Sequence, residues 1–112
     1  MRISKPLPPG STVGILGGGQ LARMLSLAAA RLGINCHIFA PEADSPAFAV
    51  SAARTIAAYD DVKALEAFAA KVDVVTYEFE NVPGETAAVL DALVPVAPGV
   101  QALPWQEFLA LL

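Results

Sequence analysis

The chain has 112 residues, enough for one domain, and carries 7 basic against 11 acidic side chains for a formal net charge of −4. That balance excludes nucleic acid or an anionic membrane surface as the main partner, because both reward clustered Lys and Arg. Hydrophobic residues make up 55% and charged residues 16% of the chain, which excludes an extended disordered polymer.

Residues 1–11 form a proline-rich lead-in with a Pro8-Pro9-Gly10 turn and no apolar core of a secretory signal. Thr12-Val13-Gly14-Ile15-Leu16 reads as a buried strand that stops at three glycines. From Gln20 the period becomes helical, with Leu21, Met24, Leu25, Ala28 and Leu32 predicting one apolar stripe. Gly33 is placed to end that helix in a left-handed conformation. Ile34 to Ala40 predicts a second strand, Glu42 to Ala53 a loop with a short helix, and Thr55 to Ala57 a short third strand. Asp60 or Asp61 is placed to cap a helix with Val62, Leu65, Phe68, Ala69 and Val72 on its apolar face. Asp73 to Phe79 predicts a fourth strand, and Pro83 sits at the first turn of a helix running to about Leu93. Val94 to Ala97 predicts a fifth, edge strand, since Pro95 cannot donate to a ladder, and Gly99 to Leu112 a helix interrupted by Pro104.

Strands alternate with helices, so the fold class is α/β: one Rossmann-like, three-layer domain with an open parallel sheet flanked by helices. No charge-free run reaches the roughly 20 residues of a membrane-spanning helix. Cys36 is the single cysteine, which excludes an internal disulfide and a cysteine-rich zinc site. The cytoplasm is the simplest address.

Two segments carry the chemistry. Gly17-Gly18-Gly19-Gln20-Leu21-Ala22 satisfies G-x-G-x-x-A between the first strand and first helix. There Gly17 allows the tight turn, Gly19 lets a ligand approach the backbone, and Ala22 permits close helix–strand packing. The N–H groups at such a helix start favour an anion or polar ligand. A dinucleotide also calls for an acidic residue at the end of the second strand, where Phe39-Ala40-Pro41 stands with Glu42 just beyond. The second segment is Tyr77-Glu78-Phe79-Glu80-Asn81-Val82-Pro83, at the same carboxyl edge of the sheet. Alternation puts Glu78 and Glu80 on one side and Tyr77 and Phe79 on the other. One carboxylate is then free to accept hydrogen bonds from a ligand hydroxyl or amine, while the other holds the loop or caps the helix at Pro83.

Together the two segments, with Leu32-Gly33, Asp44-Ser45-Pro46-Ala47 and Pro98, resemble the N-terminal (pre-ATP-grasp) domain of the 5-(carboxyamino)imidazole ribonucleotide synthases, ATP-grasp enzymes of purine biosynthesis. The likeness runs from about Thr12 to about Leu103. It implies a ligase reaction in which ATP activates bicarbonate as carboxyphosphate and the amine of aminoimidazole ribonucleotide captures the carboxyl group. It implies substrate contacts at Gln20, Leu21 and Glu78, and, less directly, at Gly18, Gly19, Tyr77 and Asn81, with no general base. Family members continue into a central domain and an ATP-grasp domain that hold ATP and Mg2+. This chain has no counterpart of those domains, so no cofactor is expected to bind it tightly and the fragment alone is expected to be inactive. It also departs from the family at Ala97, where an arginine is usual, and at Pro104-Trp105-Gln106-Glu107-Phe108-Leu109.

Trp105, Phe108, Leu109, Leu111 and Leu112 form an apolar terminus expected to drive self-association. His37 and Cys36 read as buried strand residues, and Arg23 and Arg54 as solvated surface residues. Two other functions fit the same fold: an NAD- or nucleotide-binding Rossmann module, and an interaction domain without a ligand. Replacing Glu78 with alanine is expected to weaken ribonucleotide binding with little change in melting temperature.

Overall fold

Each crossover between strands passes through a helix or a 3-10 turn, and the strands pair in parallel, as crossover connections allow. The computed structural model describes residues 7–79 and 82–96. In chain order they form β1 (Thr12–Leu16), α1 (Gln20–Arg31), β2 (Asn35–Ala40), a 3-10 turn (Pro46–Ala49), β3 (Ala53–Ile56), α2 (Val62–Ala69), β4 (Val74–Tyr77) and α3 (Gly84–Leu93). The sheet order is β3-β2-β1-β4. Of the expected fifth strand, the described residues show one parallel bridge, Val75 to Val96. There the Pro95 carbonyl accepts from the Val75 N–H at 2.9 Å. Proline blocks donation, not acceptance.

Side-chain alternation splits the core in two. Val13, Ile15, Cys36, Ile38 and Val74 face α1 and the 3-10 turn, packing with Ala22, Leu25, Ala29 and Phe48. Leu16, Phe39 and Val75 face α2 and α3, packing with Leu65, Phe68, Val72 and Leu90. Both faces are covered, which is why the strands read as near-continuous apolar runs. The predicted layers are the observed ones.

The face of α1 is only partly the predicted one: Leu25 is buried and Leu21 packs against the core, as expected. Its buried residues are Ala22, Leu25, Ser26 and Ala29, while Met24 and Leu32 are 55% and 53% exposed. The buried row begins one residue later than the predicted stripe. Small side chains let the helix axis approach the sheet, and Ser26 satisfies its hydroxyl on the Ala22 carbonyl at 2.9 Å. Val62 on α2 is likewise exposed, whereas Leu65, Phe68, Ala69 and Val72 are buried as expected. Asp61 caps α2, accepting from the Ala64 N–H at 3.1 Å. At the end of α1, Gly33 has φ +76°. Ile34 N–H donates to Ala29 O and Gly33 N–H to Ala30 O, the paired bonds of a Schellman ending.

Cys36 is buried, and desolvation pushes its thiol up to about 11 despite a hydrogen bond with Ser26. An inert thiol is the result. His37 is also buried, its Nε2 2.7 Å from Thr55 Oγ1, and burial, with Lys71 adding to it, lowers its pKa from the usual 6.5. The folded chain therefore holds this ring neutral where the unfolded chain protonates it. Stability is fully present above about pH 7 and falls as the pH drops below 6.5. Urea midpoints measured between pH 7.5 and 5.5 are expected to decline, and His37→Gln is expected to flatten that slope. Equal slopes for both proteins would contradict this account of His37.

No helix among the described residues is long and apolar enough to cross a membrane. Gly99 to Leu112, with the apolar terminus and its expected self-association, lies outside the described residues, as do Ala97, Glu80 and Asn81.

Candidate functional site

In the order β3-β2-β1-β4 the chain leaves β1 toward β2 and later returns to the other side of β1 with β4. Such a reversal opens a crevice at the carboxyl ends of the two strands that flank it, β1 and β4. Leu16 and Tyr77, the last residues of β1 and β4, are register partners. The glycine loop and the acidic turn therefore emerge side by side on one rim.

They touch. The Glu78 N–H donates to the Leu16 carbonyl at 2.8 Å, continuing the ladder one step past the strands. Gly17 turns with φ +109°, and a Cβ placed there would lie 2.7 Å from Glu78 Cβ. On Gly19 a Cβ would lie 2.6 Å from Glu78 Oε1. The glycines of the motif are thus what lets the Glu78 side chain lie against the loop. Glu78 Oε2 accepts from the Ala22 N–H at 2.8 Å. Gly19, the N-cap of α1, has no side chain to do this, so a carboxylate from 56 residues away caps the helix. The N–H groups of Gln20 and Leu21, also in the first turn, have no partner within the helix.

The β2–β3 connection supplies the facing wall. The Gly18 carbonyl accepts from the Ala47 N–H at 2.8 Å, and a Cβ on Gly18 would lie 2.6 Å from Ser45 Cβ. Ser45 donates its hydroxyl to the Glu42 carbonyl at 2.7 Å, which fixes the turn. The space left is a cleft of about 470 Å³, floored by Gly18 and Gly19 and walled by Glu42, Asp44, Ser45 and Pro46 on one side and Tyr59 and Glu78 on the other. Among the described residues, three carboxylates and no lysine or arginine line it. The cleft suits a ligand that presents hydroxyls or an amine. Any ligand anion is better served by the free N–H groups at the start of α1.

Of the residues named from sequence, Gly18, Gly19 and Glu78 line the cleft. Gln20 is exposed at the first helical position, and the side chain of Leu21 packs against the first core cluster, leaving only its backbone at the helix start. Tyr77 packs into the second core cluster, where burial and nearby Asp91 raise its phenol pKa. Its side chain does not line the cleft. Asn81 lies outside the described residues. Of the two tasks expected of the glutamate pair, loop-holding falls to Glu78, while Glu80 lies outside the described residues. Arg23 and Arg54 are both exposed, Arg54 over the Phe48 ring, and neither lines the cleft.

Sequence reasoning gave Tyr59 no role. Its ring stacks on Phe39 at 6.1 Å and tilts against Phe79 at 5.0 Å. Its carbonyl accepts from Thr86 Oγ1 at 2.6 Å. Burial, then Glu42 and Glu78, push its phenol up to about 12, so it remains a neutral donor. The available signal was its place: Tyr59 follows β3 at the same carboxyl edge.

Residues 10–106 match the family described as the ribonucleotide synthetase preATP-grasp domain. The N5-carboxyaminoimidazole ribonucleotide synthase of Brucella melitensis is 54% identical over 97 residues, covering 87% of this chain and 27% of that protein. The solved Staphylococcus aureus N5-carboxyaminoimidazole synthetase superposes with a TM-score of 0.81 at 37% identity, over 91% of this chain and 28% of its own. An N5-carboxyaminoimidazole synthase from Aspergillus clavatus, solved with ADP and 5-aminoimidazole ribonucleotide, gives a TM-score of 0.71 at 34% identity, over 84% and 25%. The chain spans about a quarter of the length of each of these three relatives.

Proposed function

The chain belongs to the ribonucleotide synthetase preATP-grasp domain family, and from that membership we propose that its cleft holds 5-aminoimidazole ribonucleotide for an ATP-dependent carboxylation. The product is the N5-carboxyamino ribonucleotide, and the reaction joins carbon to nitrogen. The observation that carries this reading is the Glu78 carboxylate lying against the Gly17–Gly19 loop at the switch point, anchored through Oε2 on Ala22.

The residues divide the work by chemistry. Glu78 accepts from the exocyclic amine or a ribose hydroxyl, and Glu42 and Asp44 across the cleft accept from further hydroxyls. Gly18 and Gly19 let Ser45 and Glu78 close against the loop and floor the cleft, and the Gln20 and Leu21 N–H groups face the ligand's anionic end. Asn81, two residues past Phe79, is assigned a supporting contact. An aromatic amine is a weak nucleophile, so holding it in place is the main contribution asked of these residues.

The described lining does not suit a triphosphate, because among the described residues three carboxylates face it without a lysine or arginine. Nor does any group of three or more His, Cys, Asp or Glu among the described residues converge on a metal-sized point. ATP activates bicarbonate in the proposed reaction, and no step of that activation is routed through these residues. A cytoplasmic setting and a small-molecule partner belong to the same proposal.

Glu42 gives a second reading its one support, since an acceptor just past β2 is where dinucleotide folds hold a ribose. Calorimetric titration of the chain with 5-aminoimidazole ribonucleotide, NAD and ATP separates the two. Heat from the ribonucleotide, and none from NAD at equal concentration, is expected. Tighter NAD binding, or no binding of the ribonucleotide, overturns the proposal.

A further inference from the structure

The ribonucleotide reading assigns Glu78 to a donor on the ligand but leaves its heterocycle unread. An aminoimidazole ring offers an acceptor as well, the ring nitrogen that carries no ribose. Glu42, Asp44 and Glu78 cannot recognise it, because ionised carboxylates only accept. Ser45 has already committed its hydroxyl to the Glu42 carbonyl.

Tyr59 remains. It lines the cleft beside Glu78, and its hydroxyl makes no hydrogen bond to another described residue. Its ring has little freedom, held by Phe39 and Phe79 on its faces and by Thr86 on its carbonyl. A fixed, neutral O–H among acceptors is a selective device, since a ligand with a matching acceptor gains a hydrogen bond that one without it cannot make. Resting on the ribonucleotide assignment, we propose that Tyr59 determines specificity, its hydroxyl donating to the unsubstituted ring nitrogen of the aminoimidazole while Glu78 accepts from the amine. The phenol stays protonated across the neutral range, so the donor is present whenever the ring nitrogen is unprotonated.

Tyr59→Phe keeps the ring stack and removes only the hydroxyl. Titrated into this variant, 5-aminoimidazole ribonucleotide is expected to bind about tenfold more weakly than to the parent chain. Ribose 5-phosphate, which has the sugar and phosphate but no heterocycle, is expected to bind both proteins equally, and the melting temperature to change little. Unchanged affinity for the ribonucleotide overturns the role of Tyr59 while leaving the function standing. Equal weakening of both ligands also overturns it, because the loss would then lie in the sugar site or the fold. Failure of the parent chain to bind the ribonucleotide sinks the function and this inference together.

Discussion

Glu78→Ala is expected to weaken binding of 5-aminoimidazole ribonucleotide by about a hundredfold and to lower the melting temperature by several degrees. Two losses combine. The first is a charged acceptor facing the ligand, whose hydrogen bonds are each worth roughly 1.5–3 kcal/mol. The second is the cap on the Ala22 N–H, worth about 0.5–2 kcal/mol by analogy with N-cap replacements. Glu78→Gln separates them. Its amide oxygen is able to keep the Ala22 bond, so the melting temperature should return toward that of the parent while affinity stays low. The expectation drawn from sequence, weak binding at unchanged stability, thus belongs to the glutamine variant. A melting temperature unchanged in the alanine variant would show that the 2.8 Å bond contributes nothing to the fold.

Phe68→Ala is expected to cost about 3–5 kcal/mol, a large part of the roughly 5–15 kcal/mol that stabilises a typical domain. Phe68 is 1% exposed and lies at the centre of the second core. It meets His37 edge-on at 5.1 Å and Phe39 at 5.3 Å. A Cβ on Gly14 would lie 2.5 Å from its Cζ, so β1 carries a glycine where the ring presses on the strand. Backbone on one side and two rings on the others leave little that can collapse into the vacated volume. The urea midpoint of the variant reads the loss directly, and a cost under 1 kcal/mol would mean the core repacks around the gap.

The alternation of strand and helix was legible because glycine and proline punctuate it. Gly17 and Gly33 bracket α1, Asp61 opens α2, and Pro83 precedes α3. The inward face of α1 was only partly legible from hydropathy, which found Leu25 and Leu21. Leucine and methionine outrank alanine and serine on any apolar scale, yet Ala22, Ser26 and Ala29 are buried beside Leu25, where small side chains let the helix lie close on the sheet. The two corners of the site were readable as motifs, and their shared rim followed from strand order. The bond between them was not readable. Nothing local in Glu78 indicates that its partner is the Ala22 N–H, and Tyr59 carries no signal beyond its place after β3. Those facts exist only once β1, β3 and β4 lie in register. The fifth strand was legible as far as the described residues reach, where the run around Pro95 pairs through the Val75–Val96 bridge.

The most direct measurement is a ¹⁵N-resolved amide titration of the chain with 5-aminoimidazole ribonucleotide. Saturable shifts concentrated at Gly18, Gly19, Gln20, Leu21, Ser45 and Glu78 are the predicted result. Shifts scattered over the outer faces of α2 and α3, or none at millimolar ligand, would contradict a ribonucleotide site at the junction of β1 and β4.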